Sequence, residues 1–179
     1  METTTNTQTQ WQVDAMHSEV QFKVRHLVIS TVTGTFKAIG GSINSANENF
    51  EGAKVAFTAD AASIDTNVKD RDNHLRSADF FDAAQYPELK LDGTLVNEGG
   101  ALKFKGDLTI KDKTKAIELD ADFGGTMVDG YGQTKAGFEF TGKINRKEYD
   151  LTWHQVTEAG GVVVGDEVKL HFNVQVTKA

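Results

Sequence analysis

The chain has 179 residues, 39 % apolar and 25 % charged, enough for one domain with a hydrophobic core and too apolar for general disorder. A formal net charge of −7 argues against nucleic acid as a partner, because phosphate binding draws on clustered Lys and Arg. The absence of cysteine excludes disulfides, thiol catalysis and zinc–thiolate sites.

Residues Met1–Gln10 (METTTNTQTQ) are polar and Thr-rich and read as a disordered tail. They hold no basic n-region and no apolar h-region, so no secretory leader is read. The expected compartment is the cytoplasm, or the periplasm if a leader has been removed. No run approaches the roughly 18 apolar residues of a membrane span. Residues 11–179 are expected to form a single domain.

From Trp11 onward the apolar period is two. Val20, Phe22 and Val24 alternate with charged and polar residues. Phe36 and Ala38 follow, then Val55, Phe57 and Ala59. Leu89, Leu91, Gly93 and Leu95 share a phase, as do Leu102, Phe104, Gly106, Leu108 and Ile110. Ile117, Leu119, Ala121 and Phe123 come next, then Ala136, Phe138, Phe140, Gly142 and Ile144. Val168, Leu170, Phe172, Val174 and Val176 close the chain. This pattern predicts about eight antiparallel strands, each with one wet and one apolar face, joined by short hairpins such as Asn97–Gly100 and Lys111–Lys115. The fold class is all-β with one short helical segment, and a sandwich or a barrel fits it. Four small residues (Gly93, Gly106, Ala121, Gly142) fall on the inward phase. Bends are the favoured reading, with unfilled interior space as the second.

The stretch KDRDNHLRSADFFDAAQYP, Lys69–Pro87, breaks the alternation. Asn67 is the expected N-cap of a short helix, with Asp70 and Asp72 in its first turn. Ser77 is expected to cap a further turn, and Pro87 ends the segment. Leu75, Phe80 and Phe81 must bury against an end of the strand assembly, as a plug or as a gate. Arg71 and Asp72 read chiefly as structural ion-pair formers, with Arg146 as a further partner. Arg71 alternatively suits an anionic head group.

Catalytic signatures are weak. No two of His17, His26, His74, His154 and His171 stand at a metal-ligand spacing, and no metal site is expected. His26 is in phase with the inward residues and His171 is out of phase. Ser18 follows His17 directly, but neighbours in a strand point to opposite faces. Asp120 and Asp122 lie on a wet face. The pairs Gly40-Gly41, Gly99-Gly100, Gly124-Gly125 and Gly160-Gly161 precede no helix and read as turns.

The sequence resembles the YceI-like polyisoprenoid-binding proteins from Trp11 to Val176. The motifs that carry this are Trp11-Gln12-Val13-Asp14 with His17-Ser18, Phe22 to Leu27, Gly34-Thr35-Phe36, and Ser63 to Thr66. Arg71-Asp72 with His74-Leu75, Asp79 to Asp82 with Tyr86-Pro87, Gly106 to Ile110, and Ile144-Asn145-Arg146 complete the set, in the family's order and spacing. Lys111-Asp112-Lys113 departs from the Gly-containing turn expected there. The resemblance implies an extended, eight-stranded antiparallel lipocalin-like barrel that holds a polyprenyl quinone or polyprenyl phosphate for carriage or storage. It implies no enzymatic activity and no cofactor other than that bound lipid. The tail would then lie among Phe22, Val24, Phe36, Phe57, Leu89, Leu91, Leu95, Phe104, Leu108, Leu119, Phe138, Phe140 and Phe172, with Leu75, Phe80 and Phe81 at the mouth. His26, Arg71 and Arg146 are candidate polar contacts, the two arginines for a head group. The alternatives are an enzyme or accessory factor acting on a prenyl quinone precursor, and a structural or stress-related barrel filled by its own side chains. The expected partner is a hydrophobic lipid, with no transmembrane segment, and a homodimer is allowed.

Overall fold

A computed structural model describes residues 8–27, 29–152 and 164–179. The described elements are β1 (Thr9–Val13), β2 (Glu19–His26), β3 (Ser30–Phe36), β4 (Ile39–Ser45), β5 (Lys54–Asp60), β6 (Ile64–Asp65), α1 (Lys69–Arg76), β7 (Glu88–Glu98), β8 (Ala101–Ile110), β9 (Lys113–Val128), β10 (Thr134–Asn145) and β11 (Val164–Lys178). Ordered pairing thus begins at Thr9, two residues before the expected boundary, because Thr9 and Gln10 find partners in Ser45 and Asn44.

Every pairing is antiparallel, and β1, β4, β5, β7, β8, β9, β10 and β11 form a ring that closes through β1–β11. The eleven segments are eight long strands, three of them interrupted. β1 and β2 are one strand along β11, broken at Asp14–Ser18. The Asp14 carboxylate makes that break, accepting from the Met16 amide at 3.2 Å while lying 2.8 Å from His17 Nδ1 and 3.3 Å from Lys135 Nζ. The His17 contact, helped by Lys135, holds its carboxyl below the ordinary value. β3 and β4 form the second broken strand, and β5 and β6 the third, split by a 3-10 turn at Ala61–Ser63. Closure removes the exposed edges that an open sheet of this length would present.

Two of the four expected turn pairs are not turns. Gly40-Gly41 lies inside β4, where a Cβ on Gly41 would sit 2.1 Å from the Ala56 carbonyl oxygen. Gly124-Gly125 lies inside β9 opposite Gly137, where the β9–β10 register shifts in a bulge. Gly99-Gly100 is a turn, with φ of 60° and 88°. Gly160-Gly161 and His154 lie outside the described residues.

The helix begins differently from expectation. Val68 is the N-cap and makes no side-chain cap bond, while Asn67 takes φ 67°. The buried Asp72 carboxylate reaches back instead and accepts from the Thr66 amide at 2.8 Å and the Thr66 hydroxyl at 2.5 Å. A buried carboxylate with two donors satisfies the helix entry from within.

The core divides by height. With the α1 end called upper, the lower half is packed solid. Trp11 meets Phe50 at 5.2 Å between ring centres, Phe50 meets Phe123 and Phe138 at 5.1 and 4.9 Å, and Phe138 stacks on Phe140 at 5.9 Å. Phe50 comes from the loop between β4 and β5 with φ 61° and is wholly buried, so that loop plugs the lower end. The inward glycines add no space. The Phe104 ring occupies the place of a Cβ on Gly93, Leu119 that of Gly142, and the paired β7 backbone that of Gly106. These positions permit close approach of strands and rings.

Candidate functional site: an apolar slot under a helical lid

The upper half is hollow. A slot with a cavity volume of about 140 Å³, partly open to solvent, is lined almost entirely by apolar side chains. β2 contributes Val20, Phe22 and Val24, and β11 contributes Val164, Val168, Leu170 and Phe172. Phe36, Phe57, Leu89, Leu91, Leu108 and Ile110 line the other walls. The strand period of two aims each of these inward.

The segment 69–87 covers this end. Leu75, Phe80 and Phe81 all face the slot, and Phe81 meets Phe36 edge to face at 5.7 Å. Three ties hold the lid. Arg71 donates from Nε and Nη2 to the Thr66 hydroxyl and carbonyl, both at 2.7 Å. Arg76 donates to the carbonyls of Ala62 at 2.7 Å and Ile64 at 3.0 Å. His74 lies 2.8 Å from the Asp79 carboxylate and meets Phe80 edge to face. Arg71 and Asp72, expected as ion-pair formers, instead hydrogen-bond to Thr66, and the charges of this segment act as fastenings.

Arg146 is the one buried cation among the described residues, and it lines the slot. It starts the 3-10 turn Arg146–Tyr149 and donates to the carbonyls of Gly165 at 2.8 Å, Leu151 at 2.5 Å and Val164 at 3.3 Å. Asp166 stands 3.6 Å away. Burial lowers its pKa from the ordinary value, and Asp166 opposes that. The arginine staples the turn after β10 to the start of β11 and places a guanidinium, paired with Asp166, in the slot lining.

Several expected lining residues lie elsewhere. Leu95, Phe104, Leu119, Phe138 and Phe140 are inward but belong to the packed lower half, so they form the floor beneath the slot. His26 is half-buried at the upper end of β2 and does not line the slot, and Arg71 is turned to Thr66. Conversely, Val20, Ile110, Ile144, Val168 and Leu170 line it and share the inward phase, so periodicity marked them as interior without selecting them. Leu151 and Val164 flank a segment with no period and carried no signal.

No group of three His, Asp or Glu side chains able to hold a metal is found among the described residues. No described helix is long and apolar enough to cross a membrane.

A closed eight-stranded antiparallel barrel, plugged below and hollow under a helical lid above, is the form of a barrel that encloses an apolar small molecule. Residues 11–176 match the YceI-like domain, and the chain belongs to that family. A UPF0312 protein of Staphylococcus epidermidis is 36 % identical over 168 residues, covering 93 % of this chain and 96 % of its own. Protein YceI of Escherichia coli O157:H7 is 39 % identical over 139 residues, 77 % of this chain and 73 % of its own. Among solved structures, the Campylobacter jejuni YCEI protein superposes with a TM-score of 0.73 at 31 % identity, covering 87 % of this chain and 90 % of that one. A polyisoprenoid-binding domain from Saccharophagus degradans shares the fold, with a TM-score of 0.68 at 14 % identity over 94 % of this chain and 98 % of that one.

Proposed function

We propose that this protein binds a long polyisoprenoid lipid, with the tail in the slot under the lid and the head group near Arg146, as a carrier or store rather than as an enzyme. The observation that carries this is the slot itself: an apolar interior, roofed by Leu75, Phe80 and Phe81, with Arg146, the one buried cation among the described residues, in its lining. A hydrocarbon tail needs no polar partner inside. Its transfer is worth about 0.8 kcal/mol per methylene, of which ligands of this size realise about 0.3 kcal/mol per heavy atom. The description of the Saccharophagus degradans domain as polyisoprenoid-binding points the same way. A packed lower half fits a barrel filled by its own side chains, but the hollow upper half does not. The enzymatic alternative needs His26 or another inward polar group near the head group, and His26 does not line the slot.

Gly34 supplies the test. Phe22 lies across the ladder from Gly34, and a Cβ there would come 2.2 Å from Phe22 Cζ. Gly34→Ala drives the ring toward the slot that it lines. The expected result is that organic extraction and mass spectrometry of gently purified wild type yield a prenyl lipid, and that Gly34→Ala, folded by circular dichroism, takes up at least several-fold less. A wild-type protein from which no prenyl lipid is extracted, and into which none can be loaded, refutes the function. Equal uptake by the variant refutes the site.

A further inference from the structure

We infer that the β2–β3 hairpin is a membrane-docking tip that brings the mouth of the slot against an anionic bilayer surface. This rests on the lipid-carrier reading for its purpose, since a polyisoprenoid is held in bilayers and not in water. The geometry stands independently. The slot lining climbs β2 to Val24 and β11 to Val164, which pairs with His26. The hairpin continues upward from that point. Its turn carries Leu27 and Ile29, 40 % and 84 % exposed. Hairpin turns normally hold Gly, Asn or Asp. Here Leu27 takes φ 54°, a conformation that penalises a bulky side chain. An aliphatic residue at a position built for glycine, with a second one almost fully in solvent, calls for an apolar surface to receive it.

Charge selects the surface. Lys23 pairs with Lys169 on β11, and Lys169 pairs with Lys143 on β10, which places the three in one outward row. Arg25 shares their face one step nearer the tip. All four are exposed, but Glu167 lies 3.7 Å from Lys143 and Glu118, Glu148 and Asp166 border the same surface pocket as Lys143, so the band rests on Lys23, Arg25 and Lys169. The chain as a whole carries −7. Attraction to an anionic surface therefore has to come from this local band, and it orients the molecule mouth first. An apolar tip above a basic band is the arrangement that peripheral proteins use at the headgroup boundary.

The opposite end provides the control. The β9–β10 hairpin also exposes apolar residues, Met127 at 65 % and Tyr131 at 94 %, but at the plugged end of the barrel. Sedimentation of the full chain with phosphatidylcholine vesicles, with and without phosphatidylglycerol, reads the docking. Wild type is expected to partition onto the mixed vesicles, and Ile29→Asp to reduce that partition by about tenfold or more. Lys23→Glu with Arg25→Glu is expected to remove the preference for phosphatidylglycerol and the salt dependence, and Met127→Asp to leave both unchanged. No binding by wild type, no loss in Ile29→Asp, or an equal loss in Met127→Asp overturns the proposal. Uptake of a short prenyl alcohol from solution separates the two readings. Protein that docks but takes up no prenyl compound refutes the carrier reading and supports the docking tip.

Discussion

Tyr149 shows how one atom records the demands of the upper end. It is wholly buried in the 3-10 turn after β10, and its hydroxyl has no hydrogen-bond partner among the described residues. Burial, with smaller help from the charges of Glu148 and Asp107, pushes its pKa up to about 12. A buried hydroxyl without a partner costs about 1 to 3 kcal/mol relative to a site that never held one. Tyr149→Phe is therefore expected to stabilise the fold by about 1 kcal/mol, read as a rise of a few degrees in Tm. The pH dependence has a definite sign. The folded state keeps the phenol proton above the ordinary tyrosine value, where the unfolded chain loses it. This contribution is constant below pH 10 and is lost as pH rises toward 12. The advantage of Tyr149→Phe should widen over that interval in denaturation curves. A variant less stable than wild type at neutral pH would show that the hydroxyl has a partner after all.

At the scale of the element, α1 and the turns after it form a lid because their bonds run sideways to the β5–β6 connection, while their apolar side chains face down. Arg76 is the principal tie, donating to Ala62 and Ile64 from one side and to Asn73 Oδ1 at 3.0 Å from the other. Removing it leaves Leu75, Phe80 and Phe81 packed but unfastened. Arg76→Ala is expected to cost roughly 1 to 2 kcal/mol, to raise amide exchange over residues 69–83 while β7 and β8 stay protected, and to speed release of a bound lipid several-fold. Unchanged exchange in the lid would mean that the ring contacts alone hold it shut. The sequence shows why this element is partly legible. Pro87, Phe80-Phe81 and the loss of alternation mark a cover, but the exchange of Asn67 for Asp72 in capping depends on a tertiary burial that local pattern does not encode.

For the whole molecule, alternation marked which residues point inward, and eight inward phases with short hairpins imply an antiparallel meander, sandwich or barrel, which the family resemblance narrowed to a barrel. Height within the barrel is a different quantity. Val55 and Phe57 share a phase on β5, yet Val55 is packed in the lower half and Phe57 borders the slot. The difference is made by Trp11 and Phe50, which close the lower end from β1 and from a loop, contacts too distant in sequence for periodicity to report. This division sets a length. The lining runs along β11 from Val164 to Phe172, which a bulge between Val164 and Val168 shortens to the His26–Val20 span of β2, roughly 20 Å of strand, and a tilt of about 40° leaves an axial depth of about 15 Å. Below it, the Phe140 ring meets Phe57 at 5.9 Å and Phe104 at 6.5 Å, so it is the first solid layer under the slot. A tail longer than the slot must fold back or protrude past the lid. Phe140→Ala removes that layer at a cost of about 3 to 5 kcal/mol, part of which a bound tail recovers by filling the space. The extracted lipid should shift toward longer tails than in wild type, with a lower Tm for the empty variant than for the loaded one. Identical tail lengths from a folded Phe140→Ala protein would show that the lid and not the floor limits the ligand.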